Sequence, residues 1–139
     1  MGTRSLTIMC DNEQEIAVLY RQFDGYPDGH GAELAEFLSG YKIVNGLSGD
    51  KGKIANGGNC LAAQIVAFFK VDAGGFYLYP AGTRGLWEDY RYTVTAKVGE
   101  APTISIEEMD GNDTAKPLFN GTAADLLEWL KKEDDDTGE

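Results

Sequence analysis

The twelve residues Tyr20-Arg-Gln-Phe-Asp-Gly-Tyr-Pro-Asp-Gly-His-Gly31 constrain the fold more than any other stretch of the chain. Gly25, Gly29 and Gly31 permit backbone conformations that side chains resist, and Pro27 fixes its own φ, so the segment specifies a turn with a particular path. Onto that turn the sequence sets Arg21, Asp24, Asp28 and His30, the single histidine of the chain. Such a concentration reads either as a site or as a polar knot that holds the turn together. No catalytic signature accompanies it.

A length of 139 residues suits one domain with a core that needs neither disulfides nor metal. The 18 glycines, well above the usual share, predict many turns and long ordered loops. A formal charge of −11 argues against a broad nucleic-acid-binding face, because that affinity comes from neutralising phosphates; a small anion is not excluded. Glu133, Asp134, Asp135, Asp136 and Glu139 supply five of those charges, and residues 133–139 read as a solvated, disordered tail behind a single domain over 1–132. Cys10 and Cys60 lack a Cys-x-x-Cys partner or a second histidine, so they are read as buried thiols, with no metal and no cofactor expected. Neither a signal-peptide core nor an apolar run long enough for a membrane span is present, which places the expectation in the cytoplasm, away from the membrane.

Leu6, Ile8 and Cys10 alternate with Ser5, Thr7 and Met9, and the polar turn 11–14 leads into a second strand ending at Tyr20, so a β-hairpin opens the chain. Ala32–Leu38 carries Leu34, Phe37 and Leu38 on one helical face. Residues 41–58 read as a long loop with a helical turn near Ile43–Leu47, and 59–70 as the central helix capped by Asn59. Strands are predicted over 76–79, 88–96 and 103–107 as a meander. Thr122 begins the last helix, with Asp125 completing a capping box. The fold class is therefore α+β: an antiparallel sheet of about five strands with about three helices, mainly on one face.

Three loops are candidates for one constellation: 24–31, the turn Asn56-Gly-Gly-Asn59, and 80–87. Arg4, Arg21 and Arg84 suit phosphate or carboxylate, and an antiparallel hairpin brings Arg4 and Arg21 to one sheet end. Surface salt bridges are the equally weighted alternative. Asn56 and Asn59 bracket a helix start that would offer free N–H groups to an anion, although ordinary capping explains them too. Tyr26 and Trp87 offer stacking surfaces. His30 with Asp24 is the one conceivable acid–base pair, a role for which a structural hydrogen bond is the simpler explanation.

On Gly2-Thr-Arg-Ser-Leu-Thr7, Tyr20-Arg-Gln-Phe-Asp-Gly-Tyr-Pro27 and Gly29-His-Gly31 the chain resembles small uncharacterised proteins of phages and prophages that share an Asp-Gly-Tyr-Pro turn. That resemblance implies a phage setting, hence a host cytoplasm. In general features the chain is similar to phage anti-defence proteins that sequester nucleotide signals as homo-oligomers. Three functions follow as expectations. The first is a non-catalytic sponge for a small nucleotide-like ligand, using Arg4, Arg21, Asp24, Tyr26, His30, Asn56, Asn59, Arg84 and Trp87. The second is a hydrolase of such a signal using His30 and Asp24, with a divalent ion on Asp24 and Asp28. The third is a protein-binding inhibitor of a host factor.

Overall fold

Period-two alternation in the first twenty residues builds the sheet's centre. In the computed structural model, which describes residues 2–46, 52–112 and 114–137, β1 (Ser5–Asp11) and β2 (Gln14–Arg21) pair antiparallel around a two-residue turn, with Asn12 at a φ of 54°. Leu6 and Ile8 face one side with Val18, while Thr7 and Met9 face the other. The remaining elements are α1 (Ala32–Leu38), β3 (Lys42–Val44), β4 (Ile54–Asn56), α2 (Gly57–Phe69), β5 (Phe76–Pro80), β6 (Tyr90–Ala96), β7 (Thr103–Met109), β8 (Ala115–Thr122) and α3 (Ala123–Thr137).

The protein is α+β, with a six-stranded main sheet of order β5-β2-β1-β6-β7-β8 and a separate two-stranded sheet, β3-β4. The expected antiparallel sheet of about five strands needs correction, because β1 and β6 run parallel at its centre. The expected meander is displaced as well: β5 pairs with β2, and the meander is β6-β7-β8. Since β5 and β6 point the same way, residues 81–89 must travel back along the sheet, and Leu86 packs there against Leu6, Ile8 and Val18. All three helices lie against the other face, where Leu34, Leu38, Leu61, Ile65, Leu126 and Leu130 share one core with Met9, Leu19, Tyr92, Val94, Ile104 and Ile106.

Four elements differ from their sequence expectation for local reasons. β8 is invisible to pattern because Pro117 and a bulge interrupt an exposed strand, features suited to an edge. The segment expected to form a helical turn near Ile43 forms β3 instead, paired parallel with β4; Leu47 lies outside the described residues. The central helix begins at Gly57, so Asn56 occupies its N-cap; its Oδ1 accepts from Gly46 N at 2.8 Å, and Asn59 is not the cap. α3 opens on the expected capping box, Thr122 N to Asp125 Oδ2 at 3.0 Å and Asp125 N to Thr122 Oγ1 at 3.2 Å. It continues through Thr137, so helix reaches into the segment expected as a disordered tail.

The free edge of β5 is blunted by its own neighbours. Phe76 O accepts from Lys70 Nζ at 3.0 Å, and Pro80 has no N–H while its carbonyl accepts from Thr83 Oγ1 at 2.8 Å. These contacts leave few groups to recruit a foreign strand.

The start of α2 is pressed onto the hairpin. A Cβ at Gly58 would stand 2.7 Å from Asp11 Cα, so Gly58→Ala must push helix and strand apart, at a cost of about 1–3 kcal/mol. Gly111, which has nothing within 4 Å of an added Cβ, is the control: Gly111→Ala should stay within about 0.5 kcal/mol of the parent. Urea unfolding midpoints of the two variants test the contact.

Candidate functional site

The Gly- and Pro-rich segment folds as a turn with Asp24 at a φ of 62°, followed by a single π turn over Pro27–Gly31 that runs directly into α1. The geometry carries His30 into the core, where it is fully buried. Its Nε2 lies 2.6 Å from Thr7 Oγ1 and its Nδ1 lies 3.1 Å from Arg21 Nη1. A guanidinium can only donate, so Nδ1 accepts, the ring is neutral, and Nε2–H donates to Thr7. Arg21 also donates through Nε to Phe23 O at 2.6 Å and pairs with Glu33 at 3.0 Å. Its guanidinium carbon lies 5.0 Å from the Phe76 ring centroid. Tyr92 closes the network by donating to Gly25 O at 2.7 Å while its ring meets His30 edge-on at 4.7 Å.

Burial first, and then the Arg21 charge, push the His30 pKa down to about 3. The expected pairing of His30 with the Asp24 carboxylate is not formed; Asp24 holds the His30 backbone N–H with its own carbonyl, at 2.9 Å. A buried neutral imidazole with both nitrogens engaged supports a structural role, and the turn is a fastening between β1, β2 and α1.

The other sequence candidates lie apart. Arg4 precedes the Ser5–Arg21 pair and therefore shares a sheet end with Arg21, as expected, but its backbone is locked to Asp89, whose Oδ2 accepts Arg4 N at 3.1 Å. Arg84 pairs with Glu15 at 2.8 Å, and Glu15 also accepts from Gly82 N. Because Glu15 sits opposite Cys10, Arg84 belongs to the other end of the hairpin, roughly 16 Å along the strands from Arg21. Asn56 and Asn59 are exposed at the α2 start, which abuts Asp11 at that same far end but on the helical face. Tyr26 is exposed beside the π turn. The three loops do not form one constellation. Cys10 and Cys60 are free and half-buried, and burial raises the Cys10 thiol.

A different set of residues does converge. Because β6 pairs with β7, Met109 N donates to Asp89 O at 2.8 Å, and the end of the 81–89 loop meets the β7–β8 turn. Between them lies an open cleft of about 450 Å³ lined by Gly85, Trp87, Glu88, Asp89, Met109, Asp110 and Gly111. Trp87 is 83% exposed and held at a φ of 64°, a conformation that bulky residues rarely adopt. Among the described residues its ring has no aromatic neighbour. Burial alone would raise the Glu88 carboxyl, but the Arg91 guanidinium at 2.8 Å and the Leu86 N–H at 2.7 Å hold it below the usual range. Asp110 is held low by the backbone N–H groups of Thr114 and Asn112. Of this set Trp87 was expected to bind a ligand, and Glu88 and Asp89 only to pair with arginines; the Asp110-Gly111-Asn112 turn was the available signal for the opposite wall. Comparison with known proteins finds no matching family model, curated protein or solved structure.

The unfolded imidazole binds its proton near 6.5 and the folded one near 3, so between those values the unfolded chain holds more protons and stability falls as pH falls. His30→Ala should cost about 3 kcal/mol at pH 7 and show a flatter acid limb, the parent losing up to ~1.4 kcal/mol per pH unit from this group. Urea unfolding at several pH values reads both quantities. Ser5 Oγ is buried without a partner among the described residues, so Ser5→Ala should leave the unfolding midpoint unchanged or raised, by up to about 1 kcal/mol.

Proposed function

We propose that this chain is a non-catalytic binding module whose partner is a basic protein surface. The observation that carries the reading is the charge balance. There are 12 lysines and arginines against 23 acidic residues, and several of the cations are committed within the molecule. Arg21, Arg84 and Arg91 pair with Glu33, Glu15 and Glu88, and Lys53 and Lys70 donate to backbone carbonyls. One-to-one ion pairs leave the formal net charge of −11 unchanged, so the charge offered outward is dominated by carboxylates, which favours encounter with a positively charged partner and opposes a polyphosphate. In the phage setting that the N-terminal resemblance implies, the partner is a host factor and the module an inhibitor.

A second reading, sequestration of a nucleotide signal, retains one specific support: the exposed indole of Trp87 is a free stacking face. Its phosphate-binding cluster is weakened, since the Arg21 guanidinium is bound to His30, Phe23 and Glu33 and that of Arg84 to Glu15. The hydrolase reading rested on His30 with Asp24, and His30 is sealed in the core while Asp24 is exposed.

Titrating the chain with a defined arginine-rich peptide, and filtering it with mononucleotides, cyclic dinucleotides and ADP-ribose derivatives, separates the three. The expected outcome is a peptide complex that forms near 50 mM salt and weakens several-fold by about 200 mM, with every nucleotide passing through unchanged. Absence of any peptide complex at low salt sinks the proposal. Nucleotide depletion with intact recovery transfers the function to sequestration, and new products transfer it to hydrolysis.

A further inference from the structure

Resting on the reading of a basic partner, we propose that the cleft between the 81–89 loop and the β7–β8 turn receives one arginine side chain of that partner, stacked on Trp87 and paired with Asp89 and Asp110. Three independent features of the cleft select this occupant. The first is the aromatic wall. An indole at 83% exposure on a backbone conformation costly for tryptophan contributes nothing to the cores on either face of the sheet, so its packing does not account for its placement. The flat, weakly hydrated guanidinium is the cation that stacks best on such a face.

The second feature is charge. Glu88, Asp89 and Asp110 line the same space, and two of them are fixed in the ionised form: Asp110 by the Thr114 and Asn112 N–H groups, Glu88 by Arg91 and Leu86 despite its burial. Glu88 is 8% exposed and saturated by its internal donors, so it serves as a wall. Asp89 takes Arg4 N on Oδ2, and Asp110 takes both its turn bonds on Oδ1. Each therefore retains acceptor sites for a two-pronged donor. The third feature is the floor. Met109 supplies a polarizable apolar base for the methylene stem, and the volume of about 450 Å³ exceeds a single side chain while falling short of a folded element. An anion is excluded by the same carboxylates, and an uncharged aromatic would leave them uncompensated.

The test uses isotope-labelled full-length protein titrated with N-acetyl-argininamide, with the isosteric but uncharged N-acetyl-citrullinamide and with N-acetyl-lysinamide at matched ionic strength. The arginine compound should shift the Trp87 indole N–H and the backbone amides of residues 85–89 and 109–111. The citrulline compound should not, and the lysine compound should bind more weakly. Trp87→Ala and Asp110→Asn, both at exposed positions, should each weaken the arginine-rich peptide about two- to fivefold while leaving the rest of the spectrum in place. Equal shifts with citrulline, equal affinity for lysine, or shifts confined elsewhere on the surface would overturn the assignment. If the peptide binds both variants as tightly as the parent, the cleft is not the arginine site although the basic-partner reading stands. If the peptide binds none of the proteins, both fail.

Discussion

The structure depends on how one arginine is brought inside. Arg21 ends β2 at a point where strand, π turn and helix meet, and its guanidinium is almost wholly buried. An unpaired charge there would be prohibitive, and the surrounding sequence is arranged to prevent it. His30 offers a neutral acceptor, Phe23 a carbonyl and Glu33 the counter-charge, while Phe69 and Phe76 cover the guanidinium plane. Thr7 in turn fixes the imidazole tautomer that Arg21 requires. Four elements are bound into one assembly through this chain of donors. The glycines of the preceding turn serve it directly, since a Cβ at Gly25 would stand 2.8 Å from Ser5 Cβ.

A second constraint follows from sheet order. Placing β6 parallel to β1 forces residues 81–89 to cross the face that the helices leave open. Leu86 covers Leu6, Ile8 and Val18, and the loop then has to turn back into β6 at Asp89. Trp87 is what that turn displays. The cleft is thus a by-product of topology: one wall belongs to the crossover, the other to the β7–β8 turn, and the β6–β7 pairing sets the gap between them.

Much of the secondary structure was legible because it obeys local rules. Alternation declared the hairpin, amphipathic spacing declared α1 and α2, and Thr122 with Asp125 declared the start of α3. β8 was not legible, since Pro117 and exposed polar residues erase the pattern of an edge strand that gains its register from β7 alone. β3 and β4 are three residues each and exist only because they meet. The polar residues of the 20–31 segment were recognised as a group, but whether such groups face solvent or core is set by the turn's path, and here the path turns Arg21 and His30 inward and leaves Asp24 and Asp28 exposed. Glu88 and Asp89 were legible only as partners for the arginines, and Asp110 was passed over, because twenty residues separate the two walls of the cleft.

By itself the sequence determined the chain's acidity, its α+β class, the elements with short-range periodicity and the special conformation of the Asp-Gly-Tyr-Pro turn. Each of these rests on charge, on side-chain period or on the steric freedom of glycine and proline, and none needs a distant partner. The parallel β1–β6 pair, the burial of Arg21 and His30, the separation of Arg84 from Arg4 and Arg21 and the cleft around Trp87 were decided in three dimensions. They depend on which strand edge closes on which, and that choice is made by packing the whole set of apolar faces at once.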